Sequence, residues 1–186
     1  MKKALIIVDV QKDFCPGGAL PAASAPAAIP VINKIVPQFD YVIASKDWHP
    51  EKTIHFDKWP VHCVANTDGA AFHAELQQDK IDLILYKGTG NKDDGYSAFE
   101  ATNEELVGWF KDKKVTEVFV CGLTTEYCVK STALDAIHNG FNTSVIVDAI
   151  APVAAAPEDE ANALRDLENA GVKLLNSSAL KDLDIQ

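Results

Sequence analysis

Residues Val115–Asp148 read VTEVFVCGLTTEYCVKSTALDAIHNGFNTSVIVD. An apolar, β-branched run (Val115–Cys121) passes into a helix-like stretch (Glu126–Asn139), then Gly140, then a second strand-like run (Ser144–Val147). Glycine at that point fits a left-handed helix cap, and strand, helix, strand in succession is the punctuation of a parallel α/β sheet. The same rhythm continues on both sides. Strand-like runs occupy Ala4–Val10, Tyr41–Ser45, Leu83–Tyr86 and Val172–Leu175; helix-like stretches occupy Ala25–Val36, Thr102–Lys113 and Glu158–Ala170, the last followed by Gly171. Pro26 and Pro30 qualify the first helix, because proline is comfortable only in an opening turn. LIIV, LILY and VFV are near-continuous apolar runs, as in strands covered on both faces. AAAPEDEA reads as a turn into the last helix. One domain over 1–186 is expected, an α/β fold built on six parallel strands.

The irregular stretches Cys15–Ser24, Trp48–Gly69 and Gly88–Ala98 each follow a strand end. They would overhang the carboxyl edge of the sheet, where open α/β folds bind ligands. The chain's length suffices for one full-sized core. A formal net charge of −10 and a pI near 4.8 argue against nucleic acid or an anionic membrane as partner, since such binding draws on clustered cations. The one basic cluster, Lys111, Lys113 and Lys114, reads as a solvated helix end. Asp9 interrupts the N-terminal apolar stretch well short of a signal core, and no run approaches the ~20 residues of a membrane span. A cytoplasmic protein is expected. Cys15, Cys63, Cys121 and Cys128 are irregularly spaced without a CxxC, which suits reduced thiols rather than a disulfide framework or zinc knuckle.

Residues able to do chemistry gather at the strand ends. Cys128 falls in what reads as the opening turn of a helix, where backbone N–H groups and partial positive charge favour a thiolate and can receive an oxyanion; a small buried apolar role is the alternative. Cys121, inside the strand, is explained by packing. Asp9 interrupts LIIVDV, and a buried carboxylate there needs a counter-charge that Lys87, directly after LILY, could supply. A structural ion pair or a helix cap would also satisfy the two. Together, Asp, Lys and Cys offer a base, a cation and a nucleophile, the set that amide cleavage through a thioester requires. DWHPEKTIHF and WPVHC form a second constellation. Asp47 and His49 project to one side of an extended chain, and His55 and His62 follow in the next loop, a donor set for a first-row divalent metal: zinc, manganese or iron. His73 and His138 read as ordinary surface or core residues.

In order and approximate spacing, MKKALIIVDVQKDFCPGGAL, SKDWHP, WPVHCV, YKG, GYSAF and GLTTEYCVKSTALDA resemble the signature segments of bacterial nicotinamidases, within the isochorismatase-like superfamily of cysteine hydrolases. The resemblance covers about Met1 to Asp148. It implies a three-layer αβα, Rossmann-like fold with a central six-stranded parallel sheet, and conversion of nicotinamide to nicotinate and ammonia in NAD salvage. Carried over by motif, the catalytic triad falls on Asp9, Lys87 and Cys128. The ligands of one divalent metal, zinc foremost and manganese or iron as alternatives, fall on Asp47, His49, His55 and His62. The oxyanion amides fall on Thr124 and Cys128 beside a cis Leu123–Thr124 bond, and the pocket aromatics on Phe14, Trp59, Tyr96 and Tyr127. A small-molecule substrate is implied, nicotinamide and by extension pyrazinamide, with homo-oligomers among the family's assemblies. Relatives commonly carry Ala-Thr-Asp where this chain has Thr124-Thr125-Glu126, and Gly-Thr where it has Asn66-Thr67, which touches substrate preference rather than triad or metal positions. Rival readings are a carbamoyl or ureido hydrolase of the same superfamily, which would share the triad, and a non-catalytic metal-binding or redox-responsive protein.

Overall fold

The run at 4–8 is buried along its whole length, and its side chains part alternately into two cores. Leu5 and Ile7 point one way, Ala4, Ile6 and Val8 the other. Period-2 alternation with both faces apolar requires a covering layer on each side. The computed structural model, which describes residues 1–153 and 156–185, has those layers. Strands β1 (Lys2–Val8), β2 (Tyr41–Asp47), β3 (Leu83–Lys87), β4 (Val115–Leu123), β5 (Asn142–Ala151) and β6 (Lys173–Leu175) form one parallel sheet in the order β3-β2-β1-β4-β5-β6. Helix α1 (Ala25–Ile35) covers one face through Ile29, Ile32 and Ile35. Helices α2 (Leu106–Asp112), α3 (Lys130–His138) and α4 (Asp159–Asn169) cover the other, with Leu106, Phe110, Ala133 and Leu167 in its core. The chain leaves β1 towards β2 and β3, then returns to lay β4 on β1's other side. The order in which strands are added therefore reverses between β1 and β4, the crevice where ligands of such folds bind.

Element boundaries depart from expectation for local reasons. β1 ends at Val8, two residues early, because Asp9 takes φ +47 and turns out of the extended path. β2 and β3 run further, so Asp47 and Lys87 are strand residues and register partners. Helix α1 continues through Pro30: the burial of Ala28, Ile29 and Ile32 outweighs the backbone bond that proline cannot donate. The predicted helix at 102–113 loses its first turn to the exposed side of β3. Thr102 N donates to Tyr86 O at 2.9 Å, and Asn103 pairs with Tyr86 N and Ile84 O, covering an edge strand. Glu105 then caps α2 by accepting from Val107 N and Gly108 N.

The predicted helix at 126–139 divides. Val129 N reaches back to Thr124 O, a π-type turn at Thr125–Val129, before the regular α3 begins at Lys130. Gly140 and Gly171 take positive φ after α3 and α4. Within the expected AAAPEDEA turn, 154 and 155 lie outside the described residues. Lys111, Lys113 and Lys114 are exposed at the end of α2. Among the described residues no helix is long and apolar enough to cross a membrane.

Candidate active site

Register does most of the assembly. Asp47 and Lys87 are Cα partners on adjacent parallel strands, so their side chains leave the same face, and Lys87 Nζ donates to Asp47 Oδ1 at 2.5 Å. The positive φ of Asp9 turns its carboxylate towards the same ammonium, 2.7 Å from Oδ2. Ser45 Oγ donates to Asp9 Oδ1 at 2.7 Å. Lys87 Nζ also donates to Gly95 O at 2.7 Å and lies 3.4 Å from Cys128 Sγ. Lys87 thus forms a buried ion pair with each of the two carboxylates. Oxygens of Asp9 and Asp47 and the Cys128 sulfur lie within 4.8 Å of one another.

Asp9 and Lys87 are wholly buried, so their charges tune one another strongly. Burial raises the Asp9 carboxyl, against the pull of Lys87 and with the push of Asp47, and makes it a stronger base than an ordinary carboxylate. Burial would also raise Asp47, but Lys87, helped by the adjacent His49 and His62 rings, outweighs it and holds Asp47 well below the usual range. Burial works against the Lys87 ammonium; Asp47 and then Asp9 overcome it and hold Lys87 firmly protonated. Burial pushes the Cys128 thiol well up, and Lys87 offsets only part of that. The sulfur sits in a buried π-type turn ahead of the regular helix, where burial outweighs the pull of the nearby ammonium.

The four expected metal donors also converge. Donor nitrogens of His49, His55 and His62 lie within 4.8 Å of one another, and all three rings are buried. Each Nδ1 is engaged outward, His49 with Gly88 O at 2.9 Å, His62 with Pro60 O at 2.7 Å and His55 with Asp93 Oδ1 at 3.1 Å. That pattern fixes a tautomer with the Nε2 lone pair free, as in metal-ligating histidines. Asp47 Oδ2 stands 3.4 Å from His49 Nε2 and 3.5 Å from His62 Nε2. His49 Nε2 is itself buried without a hydrogen-bond partner. An orphaned ring nitrogen among two more imidazoles and a carboxylate is the donor set a divalent cation fits.

A pocket of about 340 Å³ opens over both groups. The expected aromatics Phe14, Trp59, Tyr96 and Tyr127 line it, together with Cys128, Thr124, Asp47, His55 and His62. Trp59 meets Tyr127 edge to face at 4.8 Å and donates through Nε1 to Tyr96 Oη at 3.0 Å. The Leu123–Thr124 peptide is cis. His73 and His138 stand apart from the cluster.

Further residues complete the site; of these, Gln11 and Asp13 lie within the DVQKDF segment. Leu20 and Val153 add apolar wall, and Glu126 holds Val153 by accepting from its N–H at 3.2 Å. Gln11 clamps Asp47 by accepting from its N–H and donating to its carbonyl, both at 2.8 Å. Asp13 accepts from Cys63 N at 2.7 Å and so holds the segment bearing His62; its carboxylate sits where a Cβ at Gly69 would fall. Asp93 holds His55. Gly88, with φ +65, brings its carbonyl to His49 so closely that a Cβ would lie 2.5 Å from the ring, and a Cβ on Gly95 would strike Gly88 backbone at 2.2 Å. Only the YKG and GYSAF strings pointed at this crossing. All four cysteines are buried free thiols.

The isochorismatase domain model matches residues 3–179. The chain is 39% identical to the nicotinamidase/pyrazinamidase of Mycobacterium tuberculosis, over 95% of its own length and the whole of that protein. In structure it is similar to the pyrazinamidase of Pyrococcus horikoshii in complex with zinc, at TM-score 0.85 and 39% identity, covering 95% of this chain and 99% of the other. It is also similar to PnC1 of L. infantum in complex with nicotinate, at TM-score 0.90 and 37% identity, covering 96% and 94%. On this footing the chain belongs to the isochorismatase-domain family.

Proposed function

We propose that this protein is a cytoplasmic single-domain amidohydrolase that converts nicotinamide to nicotinate and ammonia through a thioester on Cys128, serving NAD salvage. The observation that carries the reading is one ammonium, Lys87 Nζ, lying 2.7 Å from Asp9, 2.5 Å from Asp47 and 3.4 Å from Cys128 Sγ, at a pocket lined also by imidazoles and aromatic rings. Relatives that act on nicotinamide or pyrazinamide, and neighbours holding zinc or nicotinate, support it.

The chemistry follows from the residues. Asp9, raised by burial, takes the Cys128 proton as the sulfur attacks the carboxamide carbon. Lys87 stabilises the forming thiolate and keeps Asp9 oriented. The N–H groups of Thr124 and Cys128 receive the oxyanion; one such donor is typically worth ~10²–10³ in turnover. Asp9 returns the proton to the leaving nitrogen, ammonia departs, and the thioester remains. Asp9 then draws a proton from water, whose hydroxide adds to the thioester; nicotinate leaves and the thiol is restored. Phe14, Trp59, Tyr96 and Tyr127 sandwich the ring and exclude bulk water. Asp47, His49, His55 and His62 would hold a divalent ion, zinc foremost with manganese or iron also compatible, which when bound supplies an electrophilic site for the pyridine nitrogen. Pyrazinamide, with the same carboxamide beside a ring nitrogen, is a second expected substrate.

Ammonia release from nicotinamide, measured with and without chelator alongside elemental analysis of the same sample, tests the reading. About one metal per chain and a chelator-sensitive release are expected. Full activity in metal-free protein would remove the metal from the mechanism, and absence of ammonia would overturn the assignment.

A further inference from the structure

Two of the three imidazoles lean on main chain: His49 Nδ1 pairs with Gly88 O and His62 Nδ1 with Pro60 O. His55 alone leans on a side chain, Asp93 Oδ1 at 3.1 Å. That same oxygen accepts from Tyr96 Oη at 2.7 Å, and Tyr96 Oη in turn accepts from Trp59 Nε1 at 3.0 Å. The second oxygen of Asp93 pairs with Lys58. One carboxylate thus ties a metal donor to two aromatic walls of the pocket, joining the 54–59 segment to the 88–98 loop. Lys58, then Tyr96, hold the Asp93 carboxyl down to about 2.

We propose that Asp93 is the positioning residue of this site, setting metal affinity through His55 and the shape of the aromatic wall through Tyr96 and Trp59. The physical reason is that a carboxylate facing Nδ1–H orients the ring and makes Nε2 a more basic ligand than a carbonyl partner would. Its double use couples the two functions. Removing Asp93 loosens His55 and frees Tyr96 and Trp59 together, whereas removing the tyrosine hydroxyl breaks only the wall.

This inference rests on the metal assignment proposed above, and the test separates the two. Zn²⁺ alone, without substrate, is titrated against a competing chelator into wild type, Asp93→Ala, Asp93→Asn and Tyr96→Phe, with folding of each checked by circular dichroism and thermal melting. Wild type is expected to bind one Zn²⁺ per chain; if it binds none, the metal assignment falls and Asp93 falls with it. Asp93→Ala is expected to bind Zn²⁺ about 10–100-fold more weakly. Asp93→Asn, which keeps shape and an acceptor oxygen but no charge, falls between. Tyr96→Phe keeps wild-type Zn²⁺ affinity and raises KM for nicotinamide several-fold at similar kcat, while Asp93→Ala moves both Zn²⁺ affinity and KM. Wild-type Zn²⁺ affinity in folded Asp93→Ala or Asp93→Asn would overturn the proposal with the metal assignment intact. An equal loss of Zn²⁺ affinity in Tyr96→Phe would also overturn it, by showing that the wall and not the carboxylate holds His55.

Discussion

The two halves of the pocket are held by different kinds of structure. Asp9, Asp47 and Lys87 are placed by the sheet: strand register pairs Asp47 with Lys87, and Asp9 N donates to Ser45 O at 3.2 Å. His55, His62, Trp59 and Tyr96 ride on irregular segments, and their places depend on bonds within and between loops that come from Asp93, Asp13 and Pro60. The difference teaches that the base Asp9, the ammonium of Lys87 and the metal donor Asp47 are anchored by the sheet itself. The substrate-holding groups can be loosened while the sheet stands.

The sharpest way to separate the halves is Cys128→Ala. Ammonia release should fall by on the order of 10³-fold or more while nicotinamide binding, held by the other half, changes little. Appreciable residual turnover would move the chemistry away from the sheet-held groups. Lys87→Met tests how far the sheet-held half is structural. It leaves two buried carboxylates facing each other without a cation, and breaking a buried pair costs about 3–5 kcal/mol, so the urea midpoint should drop sharply. The sign with pH follows from Asp47, which Lys87 keeps well below 3.8 against the cost of burial. A carboxylate so held adds stability above its ordinary value, and that stability is lost as pH falls through the folded value. The gap between wild type and variant should therefore be widest near neutrality and narrow in acid; an equal gap at both would remove the ion pair as its cause.

His49→Ala probes the other half. Zinc content should fall, and turnover of pyridine carboxamides should drop about 10–100-fold further than that of amides without a ring nitrogen. Equal losses on both substrates would detach the imidazoles from substrate binding. The smallest effect expected is from Gly88→Ala, which sits where the halves meet. A Cβ at φ +65, 2.5 Å from the His49 ring, should cost about 1–2 kcal/mol in melting experiments and weaken zinc binding. Unchanged zinc affinity would show that His49 does not depend on that contact.

The same contrast explains what could be read in advance. Apolar runs announce strands, and a carboxylate or lysine at the end of such a run stands out because burial there needs a partner, so Asp9, Asp47 and Lys87 were visible as strand-end residues. Asp93 was not, since an acidic residue in a polar loop looks like any solvated one, and its partner His55 lies 38 residues away with no period linking them. The Cys128 turn failed for another reason. Hydrophobic spacing near 3.6 cannot distinguish a regular first turn from one in which Val129 N reaches Thr124 O, and the added residue alters where the sulfur sits. Asp9's positive φ also left no trace in an apolar run that continues to Val10.

Lys87 is placed by the sheet yet serves both halves, because its ammonium bridges the carboxylate beside the thiol and the carboxylate beside the imidazoles. Position 87 is therefore pleiotropic. A mutational path towards another amide could remodel the aromatic wall one residue at a time, but a change at this lysine alters nucleophile and cation site in a single step. Divergence in such a protein has its free dimension in the loops and its bottleneck at one strand-end ammonium.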